Sequence, residues 1–180
     1  ELDNKPAYQI IKTNSGRIWC GSRGKVFLVS GRRIEKILGL HEGIPDASIT
    51  VLSLDRSGRL WLGTSSHGVG MYDGGNTVTW WTVRDGLPSD WIHSIAEDEQ
   101  RRLWVATREG VTQWNGVSFE GIRTPESLLK NIAVSVIIPG DSGRIWFGTH
   151  NGIYEWKDSV LQHLTYEDGL SADGVRCGMF

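Results

Sequence analysis

Apolar runs of four to seven residues, each closed by glycine, aspartate, asparagine or serine, recur along the whole chain. The run Ile49 to Leu54 is β-branched and alternates in period two, which predicts a strand. Asp55-Arg56-Ser57-Gly58 predicts a tight turn, its glycine supplying the positive φ a hairpin needs. Leu60 to Thr64 predicts a second strand, and a loop containing His67 and Gly68 leads to a third at Val69 to Tyr72. Asp73-Gly74-Gly75-Asn76 turns the chain into an outer strand, Thr77 to Val83, and Asp85-Gly86-Leu87-Pro88 carries it onward.

This unit is repeated. Arg59-Leu60-Trp61-Leu62-Gly63-Thr64 has counterparts beginning at Arg17, Arg102 and Arg144, with tryptophans at positions 19, 61, 104 and 146. In the first copy the strands are Ala7 to Lys12, Arg17 to Ser22, Lys25 to Val29 and Ile34 to Leu38, with Glu42-Gly43-Ile44-Pro45 as exit. The third has Trp91 to Glu97, the Trp104 strand, Val111 to Trp114 and Ser118 to Ile122. Its exit, Thr124-Pro125-Glu126-Ser127, lacks the Gly-Leu-Pro pattern, and Ser127 to Lys130 predicts one helical turn. The fourth runs from Ile132 to the exit Asp168-Gly169-Leu170-Ser171, with Ile153 to Trp156 as its third strand.

Helical repeats of similar length are excluded, since glycine inside a helix costs roughly 1 kcal/mol relative to alanine and each copy holds several. Leu60 and Leu62 face one side of their strand and Trp61 the other, so both faces are apolar and the strand belongs inside a stack of sheets. Gly63 beside Trp61 predicts a place where a neighbouring sheet comes close. Four-stranded sheets stacked radially at a period of about 40–45 residues are propeller blades. The expected fold is therefore an all-β β-propeller of four-stranded antiparallel blades, with the phased tryptophans packing blade on blade. Blade limits are expected at 7–46, 47–90, 91–131 and 132–174, in one segment covering 1–180. Residues 175–180 follow the last exit as Ile49 follows the first, and are expected to be the first strand of a further blade or a closure strand. The four blades would then be an arc of a larger ring. Their open faces would invite pairing with a second copy, and a closed four-bladed monomer is the alternative.

Charge changes little. A net charge of -2 with interspersed signs leaves no basic footprint for nucleic acid and no polybasic segment for a membrane surface. No apolar run approaches the roughly 18 residues of a membrane span, and no charged-then-apolar leader opens these residues. Cys20 stands where Leu62, Val105 and Phe147 stand in the other copies, so it is expected to be a small buried filler. Cys20 and Cys177, in different repeats, form no disulfide framework and no metal spacing.

Taken together, Ile49-x-x-Leu52, Asp55, Gly58, Leu60-Trp61-x-Gly63-Thr64, Gly68, Tyr72-Asp73-Gly74 and Asp85-Gly86-Leu87-Pro88 resemble the two-component regulator propeller repeat. The third copy departs from it at Ala106 and at Gln100-Arg101. That family forms extracytoplasmic sensor regions of bacterial hybrid sensor kinases and of some diguanylate cyclases. The resemblance implies periplasmic exposure and a sensing role, frequently for a carbohydrate.

The loops after each second strand and the blade exits share one face of such a disc, and recognition sites are usually built on loops of a rigid scaffold. Arg23, His67, Arg108 and His150 are the candidate ligand-binding residues there, suited to a polar or anionic molecule. Their other reading is as solvated loop residues. Arg17, Arg59, Arg102 and Arg144 recur in every copy and are expected to pair with a turn or a neighbouring blade. There is no nucleophile elbow, no zinc-protease motif and no phosphate loop. Glu42, Asp85 and Asp168 look like turn residues, since glycine follows each. The expected function is non-catalytic binding of a polar small molecule or carbohydrate, with no cofactor and no metal. A propeller lyase or glycosidase, or a pure assembly scaffold, is the alternative.

Overall fold

A computed structural model of the chain describes residues 7–121, 129–172 and 174–175. They form four separate antiparallel sheets, each of four strands in chain order. Blade 1 comprises β1 (Gln9–Lys12), β2 (Ile18–Ser22), β3 (Lys25–Ser30) and β4 (Arg33–Leu38). Blade 2 comprises β5 (Ile49–Leu54), β6 (Leu60–Thr64), β7 (Val69–Tyr72) and β8 (Thr79–Trp81). Blade 3 holds β9 (Ile92–Glu97), β10 (Leu103–Thr107), β11 (Gly110–Trp114) and β12 (Phe119–Gly121). Blade 4 holds β13 (Val134–Pro139), β14 (Ile145–Thr149), β15 (Gly152–Lys157) and β16 (Val160–Leu164). The inner strands pack in succession, β1 on β5, β5 on β9 and β9 on β13, and the described residues form an arc without a closed ring.

The second strand of each interior blade is buried along its whole length, as a two-faced apolar strand must be. Leu62 joins the core between blades 1 and 2, while Trp61 joins the core between blades 2 and 3. The phased tryptophans therefore all point the same way round the arc. Trp19 meets Tyr72 of the next blade at 6.0 Å between ring centroids, and Trp61 meets Trp114 at 5.9 Å. Trp104 meets Trp156 at 5.2 Å and Phe147 at 5.9 Å. Such offset and edge-on pairs add about 0.5–1.5 kcal/mol each beyond their buried area.

Glycine in the Trp-x-Gly motif sets how closely blades approach. A Cβ at Gly63 would lie 2.7 Å from Ile92 Cγ2 of the next inner strand, and one at Gly21 would lie 2.8 Å from Ile49 Cγ2. Blade 3 carries Ala106 instead, fully buried in the same core as Val134, which has one methylene fewer than Ile92. At the far end Val175 sits against Gly148, its N–H donating to Thr149 O at 2.8 Å. Residues 176–180, including Cys177, lie outside the described residues, as does the first half of the expected turn at 127–130.

The repeated arginines have the expected partners. Asp55 Oδ1 accepts from the backbone N–H groups of Ser57 and Arg59, both at 2.9 Å. Its Oδ2 accepts from Arg59 Nε at 2.6 Å and from the Trp61 indole at 2.9 Å. Asp98, Arg102 and Trp104 repeat this clamp in blade 3, and the Arg102 guanidinium also lies 5.0 Å from the Trp156 ring of blade 4. Arg17 and Arg144 instead meet Glu35 and Glu155, each at 3.4 Å.

Two expectations are corrected. The outer strand of blade 2 is Thr79–Trp81 rather than Thr77 to Val83, because Val83–Asp85 winds into a 3-10 turn capped by Thr82. The other apolar exits do the same at Leu40–Glu42 and Tyr166–Asp168. Cys20 is a free thiol and only half-buried, since the side of blade 1 that it faces has no described blade against it.

Two outcomes are expected. Gly63→Ala should destabilise by about 1–3 kcal/mol in denaturant unfolding, because the opposing atom is a β-branch of Ile92 that cannot swing away. Burial pushes the Asp55 carboxyl up, but the hydrogen bonds from Trp61 and Arg59 and the guanidinium charge outweigh it, holding its pKa below the usual value. A lowered folded-state pKa supplies stability above about pH 3.9 and loses it as pH falls through the folded value. Asp55→Ala should therefore cost about 1–3 kcal/mol at pH 7, as expected when the buried Trp61 indole loses its hydrogen-bond acceptor. It should also flatten the acid limb of the unfolding temperature against pH.

Candidate functional site

The turns from second to third strand make the loop face. Thr64 Oγ1 donates to Gly68 O at 3.0 Å and accepts from His67 N at 2.8 Å, closing the turn over its own strand. Thr107 and Thr149 repeat this with Gly110 O and Gly152 O, each at 3.0 Å. The glycine is required: at Gly68 φ is +74°, and a Cβ would strike the carbonyl of Trp81. A threonine pinned on one side and a left-handed glycine on the other thrust the intervening residues into solvent. This local chemistry is why Arg23, His67, Arg108 and His150 all stand exposed on the loops.

The structure gives the four different surroundings. Arg23 Nε donates to Asp46 Oδ1 at 2.9 Å, and that carboxylate pushes the guanidinium further above its ordinary pKa. The ring Nδ1 of His67 meets Ser66 Oγ at 2.9 Å. Arg108 lies over the ring of Trp91, 5.2 Å from its centroid, and its N–H donates to Trp91 O at 3.1 Å. His150 is exposed on the turn from β14 to β15. Among the described residues no hydrogen bond, ion pair or ring contact joins any two of the four.

Around Arg108 the structure adds residues that the pattern of repeats passed over. Trp91 is 42% exposed and makes an edge-on contact with His93, 6.1 Å between centroids. His93 Nδ1 donates to Val134 O at 2.9 Å, tying inner strand β9 to the next blade. Thr50 occupies the equivalent place in β5 and donates to Ile92 O at 2.9 Å. Together Trp91, His93 and Arg108 form an exposed aromatic cluster with a guanidinium over the indole.

The exit carboxylates do other work. Glu42 Oε2 accepts from Gly39 N at 2.7 Å, Asp85 Oδ2 from Thr82 N at 2.9 Å and Asp168 Oδ2 from Thr165 N at 2.9 Å. Asp85 and Asp168 complete capping boxes with Thr82 and Thr165, while Glu42 supplies only the reciprocal bond because Gly39 has no side chain. Among the described residues no group of three or more His, Cys, Asp or Glu side chains is placed to hold a metal ion. No helix among them is long and apolar enough to cross a membrane.

Residues 43–66 and 86–109 match the family model of the two component regulator propeller. These two segments are similar to repeats of that family. Each matched segment runs from an exit glycine through the inner strand to the loop-face turn, in blades 2 and 3. Departures such as Ala106 thus leave the third copy recognisable. Among solved structures, the extracellular domain of a hybrid two component system from B. thetaiotaomicron aligns over 93% of this chain and 24% of its own, at 22% identity and TM-score 0.76. Virginiamycin B lyase from Staphylococcus aureus aligns over 90% of this chain and 56% of its own, at 16% identity and TM-score 0.74. The WD40 propeller of Doa1 aligns over 83% and 50%, at 13% identity and TM-score 0.64. This chain spans about a quarter to just over half of these neighbours, and at such identities they show the propeller fold. No curated protein matches it.

His93→Phe keeps the ring but loses the bond to Val134 O, and should destabilise by about 1 kcal/mol in denaturant unfolding.

Proposed function

We propose that this chain is part of an extracytoplasmic sensor propeller that binds a polar small molecule or carbohydrate on its loop face without catalysis. The observation that carries the reading is Trp91, an exposed indole with the Arg108 guanidinium over it and His93 at its edge. Arg23, His67 and His150 lie on the same face and extend the site, supplying polar contacts around that platform. Support for the sensing role and the extracytoplasmic setting comes from the two family segments and from the extracellular two-component neighbour.

A lyase or glycosidase would act from the same face. It would need an activated base or a free carboxylate pair. His67 meets only a serine, and the exit carboxylates are engaged in capping. The assembly proposal concerns the ends of the arc. Blade 1 leaves Ile10 68% exposed beside Cys20 and Ile37, and blade 4 leaves Ile138 and the half-buried Trp146 without a described blade against them. We propose that a second copy covers these faces, so that two arcs make one ring.

Thermal-shift screening of the chain against an oligosaccharide library should find a stabilising ligand. Trp91→Ala and Arg108→Ala should each weaken its binding by about 10-fold or more, as for an aromatic or arginine anchor. Binding unchanged in both variants would remove the loop-face site, and turnover of the ligand would replace sensor by enzyme. Light scattering should give a mass of about twice 20.1 kDa, and a monomer mass would overturn the pairing.

A further inference from the structure

The aspartate clamp of blades 2 and 3 is incomplete in blade 1, and the gap is walled. Trp61 and Trp104 each donate their indole N–H to a carboxylate of their own hairpin, at 2.9 and 2.8 Å. The same oxygen takes the arginine Nε at 2.6 Å. Thr13 holds the corresponding place in blade 1. Its hydroxyl accepts from Arg17 N at 3.0 Å, as Asp55 Oδ1 accepts from Arg59 N. Nothing replaces the second carboxylate oxygen. Arg17 Nε turns to Ser15 Oγ at 3.1 Å instead, and its guanidinium makes no described stacking contact with Trp19 of the kind Arg59 makes with Trp61. Trp19 is only 7% exposed, and its indole N–H donates to no carboxylate of its own hairpin as those of Trp61 and Trp104 do.

A cavity of about 800 Å³ opens at this point between blades 1 and 2, with Trp19, Leu28, Leu54 and Tyr72 among its walls. Trp19, Leu28 and Lys36 are cross-strand neighbours and face the cavity in one row, with the Lys36 ammonium bonded to the Tyr72 hydroxyl and 4.8 Å from its ring centroid. Four cations border the space, Lys12, Arg17, Lys36 and Arg56, against the carboxylates of Asp55 and Asp73. The Asp55 side chain is 1% exposed and held by its own arginine and tryptophan, and Asp73 Oδ1 accepts from Gly75 N at 2.9 Å. The cavity thus offers the indole N–H of Trp19 and several cations, of which Arg17 also meets Glu35 at 3.4 Å. In blade 4 Gly140 also replaces the aspartate, but Trp146 there has no described blade opposite it to make a wall.

We propose that this cavity binds a small organic carboxylate, whose anionic end takes the position that Asp55 and Asp98 hold in the neighbouring blades. One oxygen accepts the Trp19 indole N–H, and the Arg17 guanidinium and Lys36 ammonium supply charge-assisted bonds. The organic part of the ligand lies on Leu28 and Leu54. Strand hairpins alternate ends, so this site is at the opposite end of the blades from Trp91 and Arg108, and it stands or falls independently of the loop-face site.

The test is an NMR titration of the ¹⁵N-labelled 180-residue chain with acetate and benzoate, using benzamide as the neutral counterpart at matched ionic strength. Trp19→Phe assigns the Trp19 indole signal. That signal should move saturably with the carboxylates and stay still with benzamide. Thr13→Asp supplies the missing carboxylate from the protein itself. In that variant the carboxylate-induced shift should vanish, while the unfolding temperature rises by several degrees. A Trp19 signal unmoved by both acetate and benzoate would overturn the proposal, as would a shift that persists undiminished in Thr13→Asp.

Discussion

A β-branched side chain at the start of an inner strand presses into a glycine of the preceding blade, Ile49 on Gly21 and Ile92 on Gly63, and Val175 meets Gly148 in the same way. That contact fixes the distance between sheets. At that spacing the tryptophan two residues before the glycine reaches the outer aromatics of the next blade, and its N–H falls back on the hairpin of its own. Enlarging the glycine moves the sheet, and with it the rings, the clamp and the strand-to-strand bonds from Thr50 and His93. Interiors packed to crystal-like density transmit such a displacement instead of absorbing it.

Strand content, blade count and the inward role of the tryptophans were legible because each depends on residues repeated in phase. Trp61 could be assigned to packing from sequence alone, since four copies made any ligand role superfluous. The 3-10 turn at Val83–Asp85 was not legible: Thr82 and Val83 read as strand, and only the capping box with Asp85 shows that the chain has already turned. Cys20 misled for a different reason. Its burial depends on a neighbour on one side of blade 1, and neither repeat phase nor composition reports which side of a stack is covered.

The candidate site was half visible. Arg108 and His150 stood out as loop residues between a threonine and a glycine, and the turn hydrogen bonds give the physical reason they project. Trp91 and His93 were hidden inside a predicted strand, where alternation says nothing about which residue reaches the rim. Thr13 in place of aspartate was plainly readable, but its meaning needed the indole of Trp19 set in space beside the wall of blade 2.

Because Trp19, Trp61 and Trp104 point toward the next blade, and Gly21 and Gly63 receive a side chain from it, the stack has a direction, like a row of identical keys and locks. The tryptophan side of one terminal blade fits the opposite side of the other, and two like sides would set bulk against bulk. Copies of this arc can therefore add only in sequence around a common axis. In any such ring all the loop faces would look the same way, so loop-face sites would recur around one surface and the cavities between blades 1 and 2 around the other.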